Sequence, residues 1–179
     1  MVIITISGYP GSGKDDVGKI LEKKLGYSLI SIGNTRRKMA KKRGMTIQEF
    51  NLIKDPKIDT IPDRYQRMLG RTADNFIFEG RLSWKFIPES YKIFLTVNPQ
   101  IGAERIYNAR RTSELECSTI EEQRKINFNR CINDQERYLK NYGIKNCYDL
   151  RHFNIIIDTS KKSQEEVAEE IIKFTKLMK

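Results

Sequence analysis

The feature that most restricts what this chain can fold into is Gly8-Tyr9-Pro10-Gly11-Ser12-Gly13-Lys14, set directly behind the apolar run Ile3-Ile4-Thr5-Ile6 and ahead of a helical pattern. A GxxxxGK loop between a strand and a helix curls so that several backbone N–H groups converge on phosphate oxygens. The helix N-terminus adds partial positive charge, and Lys14 brings a full one. Gly8, Tyr9, Pro10, Gly11, Ser12, Gly13, Lys14, Asp15 and Asp16 are therefore the candidate nucleotide-phosphate cradle. The position after the lysine ordinarily carries Ser or Thr, whose hydroxyl ligates Mg²⁺. Asp15 stands there instead, followed by Asp16. A carboxylate suits Mg²⁺, a hard cation that prefers oxygen, so Asp15 is the candidate metal ligand. Without metal the two carboxylates repel a polyphosphate, and the helix N-terminus offsets only about 0.3–1 kcal/mol of such a charge.

Five segments dense in β-branched and aromatic residues read as strands: Val2–Ser7, Ser28–Ile32, Phe76–Glu79, Lys92–Val97 and Phe153–Asp158. Runs such as Ile155-Ile156-Ile157 do not alternate, as expected of strands covered on both faces. Between them lie helical patterns. Val17, Ile20, Leu21 and Leu25 form a stripe stopped by Gly26; a longer pattern spans Thr119–Tyr142 and stops at Gly143. A third, to Leu177, opens with Ser163-Gln164-Glu165-Glu166, a capping-box spacing. Strands separated by helices predict a three-layer α/β domain with a five-stranded parallel sheet. Two stretches, 34–75 and 99–151, are too long for plain crossovers, and extra helices there build a substrate site over the carboxyl ends of the strands. Pro62 places the start of one such helix near Thr60. No repeat or linker divides residues 1–179, which read as one domain.

Composition narrows the partners. Three Cys without CxxC spacing and a single His exclude zinc frameworks and point to a reducing, cytoplasmic setting. No apolar run reaches the roughly 20 residues of a membrane-spanning helix. Lys and Arg total 33 against 23 Asp and Glu, so the net charge of +10 calls for an anionic partner. Nucleic acid, an acidic membrane surface and phosphorylated small molecules all qualify. No RNP-type aromatic motif or Arg/Lys-dense tract is present, so a nucleic-acid reading rests on charge alone.

Several arginines fall where strands end. Arg37 sits one turn into the helix after the second strand, and Arg81 lies just past the third, beside Gly80, which permits close backbone approach. A guanidinium fork meets two phosphate oxygens at once, which lysine cannot do. Along Thr119–Tyr142, Phe128, Cys131, Ile132, Leu139 and Tyr142 recur at helical spacing and are expected to face the core. Arg130, Asp134, Arg137 and Asn141 share a different face. That face is either a solvated one, with Asp134 holding Arg130, or a ligand-facing one. His152, Trp84 and the cysteines read as packing residues.

Taken together, the loop, Gly33-Asn34-Thr35-Arg36-Arg37, Arg43-Gly44-Met45, Ile58-Asp59 through Asp63 to Gln66, Glu79-Gly80-Arg81 and Tyr142-Gly143-Ile144 resemble the archaeal-type cytidylate kinases, a P-loop nucleoside monophosphate kinase family. The resemblance spans essentially the whole chain. It implies ATP and Mg²⁺ as cofactors, and phosphoryl transfer to CMP or dCMP by a cytoplasmic monomer. It implies acceptor-binding helices over about 34–74 and a lid over about 109–119. Arg37, Arg81 and Arg137 then grip the acceptor with Gly80, Asp63 and Asp134, Asp59 and Gln66 lying alongside. Lys14, Arg105, Arg111 and Arg130 act on the transferring phosphoryl group, with Arg110 beside them. Two alternatives stay open: a sister kinase acting on AMP, UMP or another phosphorylated acceptor, and a catalytically weakened protein that binds nucleotide or RNA.

Overall fold

The computed structural model describes residues 2–53, 57–72, 74–109 and 117–177. Its centre is strand β1 (Ile3–Gly8), every residue of which is buried. On one side of β1 lies β3 (Phe76–Glu79) and then β2 (Ser28–Ser31); on the other lie β4 (Tyr91–Thr96) and β5 (Ile155–Asp158). The order β2-β3-β1-β4-β5 is parallel throughout, with Ile4 opposite Ile77 and Ile6 opposite Ile93.

Strand parity divides the core into two layers. Ile4 and Ile6 of β1, Ile77, Ile93, Leu95 and Ile157 point toward helices α1 (Lys14–Leu25) and α8 (Gln164–Leu177). Ile3 and Phe78 point the other way, onto the short helix α5 (Ser83–Phe86) with its Trp84 and Phe86, and onto Cys147. Because both faces are covered, apolar residues succeed one another without alternation, as the sequence suggested. Gly26 and Gly143 end α1 and α7 (Ile120–Tyr142) in the left-handed conformation, and Ser163 and Glu166 form the expected reciprocal cap of α8.

The long connections hold the expected extra helices. α2 (Ile32–Lys42), α3 (Ile47–Leu52) and α4 (Lys57–Thr72) lie between β2 and β3; α6 (Pro99–Ala109) and α7 lie between β4 and β5. A small cluster of Ala40, Ile47 and Phe50 ties α2 to α3.

Four expectations need correction. Strand limits shift by a residue or two, most at β5, which begins at Ile155 because Leu150–His152 form a 3₁₀ turn capped by Asp149. Ile32 opens α2 and does not close β2; Ser31 Oγ accepts the Asn34 N–H and starts the helix. α4 begins at Lys57, so Pro62 is inside the helix. There its buried ring replaces one hydrogen bond with packing, a cost the surrounding tertiary contacts absorb. On α7 the apolar stripe is divided: Tyr142 packs on the core against Phe86 as expected, but the stripe as a whole does not form the buried face. Phe128, Ile132 and Leu139 are 66%, 42% and 48% exposed, whereas Asp134 is 2% exposed. The polar face is turned inward because it closes over a charged cavity.

Candidate active site

That cavity, of about 480 Å³, opens at the carboxyl ends of β1, β2 and β3, beside the point where the strand order reverses. Its floor is the loop from Pro10 to Asp16, apart from Ser12, whose side chain is buried beneath. Gly11 is required: a Cβ there would lie 2.2 Å from Gly102 O of α6. Gly13 occupies the N-cap of α1 at φ +79°, and no side chain caps that helix, whose Asp16 and Val17 N–H groups both donate to Gly13 O. Gly8 and Tyr9, expected in the cradle, do not line the cavity; the Tyr9 N–H donates to Leu95 O and its carbonyl accepts from the Ser12 N–H. The Tyr9 ring stacks on Tyr148 at 5.3 Å and meets Phe94 edge-on, away from the cavity.

Lys14 lies 3.8 Å from Glu79, the last residue of β3. Burial lowers the Lys14 pKa from its ordinary value, opposed by Glu79 and Asp15. Burial likewise raises that of Glu79, with the Asp15 charge adding to it and Lys14 opposing. Ser31 Oγ donates to Glu79 Oε2 at 2.6 Å and fixes the carboxylate under the cavity.

Asp15 is held by Arg37, whose Nη2 donates to Asp15 Oδ2 at 2.7 Å. Arg37 in turn is oriented by Asn34 Oδ1, which accepts from Nη2 at 2.7 Å and Nε at 3.3 Å. An aspartate at the head of the loop is thus tolerated because a guanidinium from α2 neutralises it.

Opposite, Asp134 of α7 ties Arg81 to Arg137. Arg81 Nη1 lies 2.6 Å from Asp134 Oδ2, and Arg137 Nη2 lies 2.9 Å from Oδ1. Asp134 is 2% exposed, so this face of α7 is not a solvated one, and the Arg130 charge acts on the same carboxylate. Burial alone would raise its carboxyl pKa; Arg81, Arg137, Arg130 and Arg36 outweigh that and hold it below the usual range. Burial disfavours the Arg81 charge, but Asp134 reverses the balance. Arg81 is anchored to the sheet because Ser7 Oγ donates to the carbonyls of Gly80 and Arg81 at 2.7 and 3.3 Å. Its Nε is buried with no acceptor among the described residues.

Gly80 makes room for the protein and not only for a ligand: a Cβ would lie 2.5 Å from Ser83 Oγ and 3.1 Å from Ile32. A recess of about 30 Å³ beside it is lined by Ile32, Pro62, Asp63, Gln66, Ser83 and Tyr138. Ser83 Oγ donates to Gln66 Oε1 at 2.6 Å, Gln66 Nε2 faces Asp63 Oδ1 at 3.4 Å, and the Tyr142 hydroxyl donates to Asp63 Oδ2. Arg130 also lines the main cavity. Arg105 lines it too, but its guanidinium donates to Thr159 O at 2.7 Å, to Thr159 Oγ1 at 3.1 Å and to Gly11 O at 3.4 Å. In this state it clamps the phosphate loop to the β5–α8 turn. Arg110, Arg111 and the Asp59 side chain lie outside the described residues. Trp84 stacks on His152 at 4.1 Å and packs against Phe153, as packing residues do.

Sequence reasoning missed several cavity residues as site members, Glu79 and Arg36 among them. Glu79 carried a signal, a carboxylate closing a buried strand. Arg36, whose Nη2 donates to Asn51 Oδ1 at 2.9 Å and whose guanidinium sits 5.6 Å from the Phe50 ring centroid, carried none beyond its place beside Arg37.

A family model described as an AAA domain matches residues 4–128. A cytidylate kinase of Methanocella arvoryzae is 38% identical over 174 residues, covering 96% of this chain and 95% of that protein. One of Archaeoglobus fulgidus is 34% identical over 179 residues, covering 98% and 96%. An S-adenosylmethionine-dependent nucleotide dehydratase of Lacinutrix mariniflava is 32% identical over 172 residues, but this chain spans only 35% of it. Among solved structures, a shikimate kinase from Bacteroides thetaiotaomicron superposes with TM-score 0.64 at 15% identity, covering 98% of both chains; that likeness speaks to the fold alone. No helix among the described residues is long and apolar enough to cross a membrane.

Proposed function

Because this chain belongs to the cytidylate kinase family of P-loop nucleoside monophosphate kinases, we propose that its acceptors are CMP and dCMP, phosphorylated by Mg·ATP to the diphosphates. The observation that carries this reading is the convergence of Lys14, Arg37, Arg81, Arg130 and Arg137 on one cavity, with a carboxylate hub holding two of them.

In the proposed division, the loop N–H groups and Lys14 take the ATP phosphates. Arg37, Arg81 and Arg137 take the acceptor monophosphate. An acceptor phosphate oxygen bonds to the γ-phosphorus as the bridging β,γ P–O bond breaks, giving ADP and the nucleoside diphosphate. Little covalent chemistry is asked of the protein, so placing positive charge around the developing one is its main contribution. Arg130, on the same face of α7, stands to share that charge, and Arg105 holds the loop in shape. Asp134 is a positioning residue, keeping two guanidiniums side by side against their mutual repulsion.

The donor set suits Mg²⁺. Asp15 and Glu79 are hard oxygen donors beside the loop. That is what Mg²⁺ needs, since it is usually held by one or two carboxylates together with phosphates and water. Asp15 is the proposed protein ligand, and Mg²⁺ bound there would supply positive charge against the phosphates.

The Asp63 carboxylate supports a base with an exocyclic amino group, and the recess beside it, about 30 Å³, has to widen to admit even a single ring. As a carboxylate, Asp63 would accept from an exocyclic amino group and repel a carbonyl at that position. Initial rates with CMP, dCMP, UMP, AMP and GMP test this. CMP is expected to exceed each other ribonucleotide in kcat/KM by about 100-fold or more, as for a site whose buried polar group goes unpaired with the wrong partner. AMP or UMP as the best acceptor would overturn the base assignment while leaving the kinase intact.

A further inference from the structure

We propose that Asp15 acts as an internal stand-in for the acceptor phosphate on Arg37, so that acceptor binding is held back until the phosphate loop is loaded. The inference rests on the assignment of Arg37 to the acceptor. It starts from the geometry of one guanidinium. A guanidinium offers two forked edges, Nε–Nη2 and Nη1–Nη2, to a bidentate oxyanion. Asn34 Oδ1 takes the first, accepting from both Nε and Nη2. The Nη1–Nη2 edge is left to a ligand, and Asp15 Oδ2 sits on it, 2.7 Å from Nη2.

Both partners line the cavity and both are largely enclosed, with side chains 14% and 11% exposed. Solvent therefore screens the pair only weakly. A monophosphate that meets this edge with two oxygens must displace the carboxylate. It must also tolerate the Asp15 charge nearby until that charge is otherwise engaged. The hydroxyl usual at this loop position carries no charge and could not compete in this way. The substitution that looks like damage to the loop thus couples the two halves of the site. With the loop empty, Asp15 covers Arg37; with the loop loaded, Asp15 turns toward the donor side and Arg37 becomes available. By linkage the coupling is reciprocal, so acceptor binding should equally strengthen donor binding.

The test is calorimetric binding of CMP to the full chain without nucleotide, for wild type, Asp15→Asn, Asp15→Thr and Arg37→Gln. Either Asp15 variant is expected to bind CMP about tenfold more tightly than wild type, a coupling of ordinary size. Adding Mg²⁺ with a non-hydrolysable ATP analogue should tighten CMP binding to wild type by a similar factor and leave the variants nearly unchanged. A structural defect cannot produce this, because it would weaken binding. Unchanged or weaker CMP binding in both Asp15 variants, with Arg37→Gln still lowering affinity, overturns the stand-in role and leaves the acceptor assignment standing. If Arg37→Gln leaves CMP affinity untouched, the acceptor assignment itself is wrong and the stand-in falls with it.

Discussion

Replacing Asp134 with asparagine probes the site where stability and ligand binding meet. The carboxylate is 2% exposed and contacts Arg81 at 2.6 Å and Arg137 at 2.9 Å, whose side chains are 11% and 14% exposed. Removing one partner of a buried pair costs about 3–5 kcal/mol, because the other charge is left uncompensated. Here two cations are left together, but the cavity wets one side of each, so about 3 kcal/mol is the working figure. Against a usual stability of about 5–15 kcal/mol, Asp134→Asn should fold yet be clearly weakened. With a urea m-value of about 2 kcal/mol/M, the unfolding midpoint should fall by about 1.5 M. The sign with pH follows from the depressed carboxyl pKa of Asp134. Its contribution is fully present above the unfolded value of about 4 and disappears as pH falls through the lower folded value, so wild type and variant should converge only in strong acid. CMP should rescue the variant disproportionately, since a phosphate supplies the missing anion. A variant with the wild-type midpoint at pH 7, or with no convergence in acid, refutes the view that Asp134 is the counter-charge holding the arginines together.

Lys14→Ala should keep its far-ultraviolet dichroism and lose about 100-fold or more in kcat, the scale expected when one charge-stabilising group is removed. Arg81→Ala and Arg137→Ala should raise the acceptor KM or lower kcat with it, while ATP affinity, read by calorimetry, stays within about twofold; loss of ATP binding instead would mean the two subsites are reversed. Gly11→Ala should lower ATP affinity and the melting temperature together, because its Cβ would meet Gly102 backbone at 2.2 Å and neither chain can yield cheaply.

Local features were legible and inverted or distant ones were not. The strand, loop and first helix were readable from residues 3–25 because each signal acts over a few neighbours: buried isoleucines, glycines, then a stripe ended by Gly26. The same is true of the α8 cap. The α7 face was misread because hydrophobic periodicity assumes an apolar interior, whereas this helix covers a charged cavity and leaves Phe128 outside. Pro62 misplaced a helix start because tertiary packing outweighed a local breaker. Asp15 was recognisable as a departure from its motif, but the partner that tolerates it is 22 residues away on another helix. Arg105 was found as a candidate, yet its clamp onto Thr159 and Gly11 depends on a turn between β5 and α8 that no spacing rule connects to it.

The central claim is that a loop headed by Asp15 transfers phosphoryl groups rather than merely holding nucleotide. The most direct measurement is ³¹P NMR of the purified chain with ATP, Mg²⁺ and CMP, followed over time. ADP and CDP should appear in equal amounts as ATP and CMP decline, with no inorganic phosphate beyond the protein-free control. Stable ATP resonances with CMP and with every other monophosphate, in protein shown by calorimetry to bind Mg·ATP, would contradict the account and leave a nucleotide-binding protein in place of a kinase.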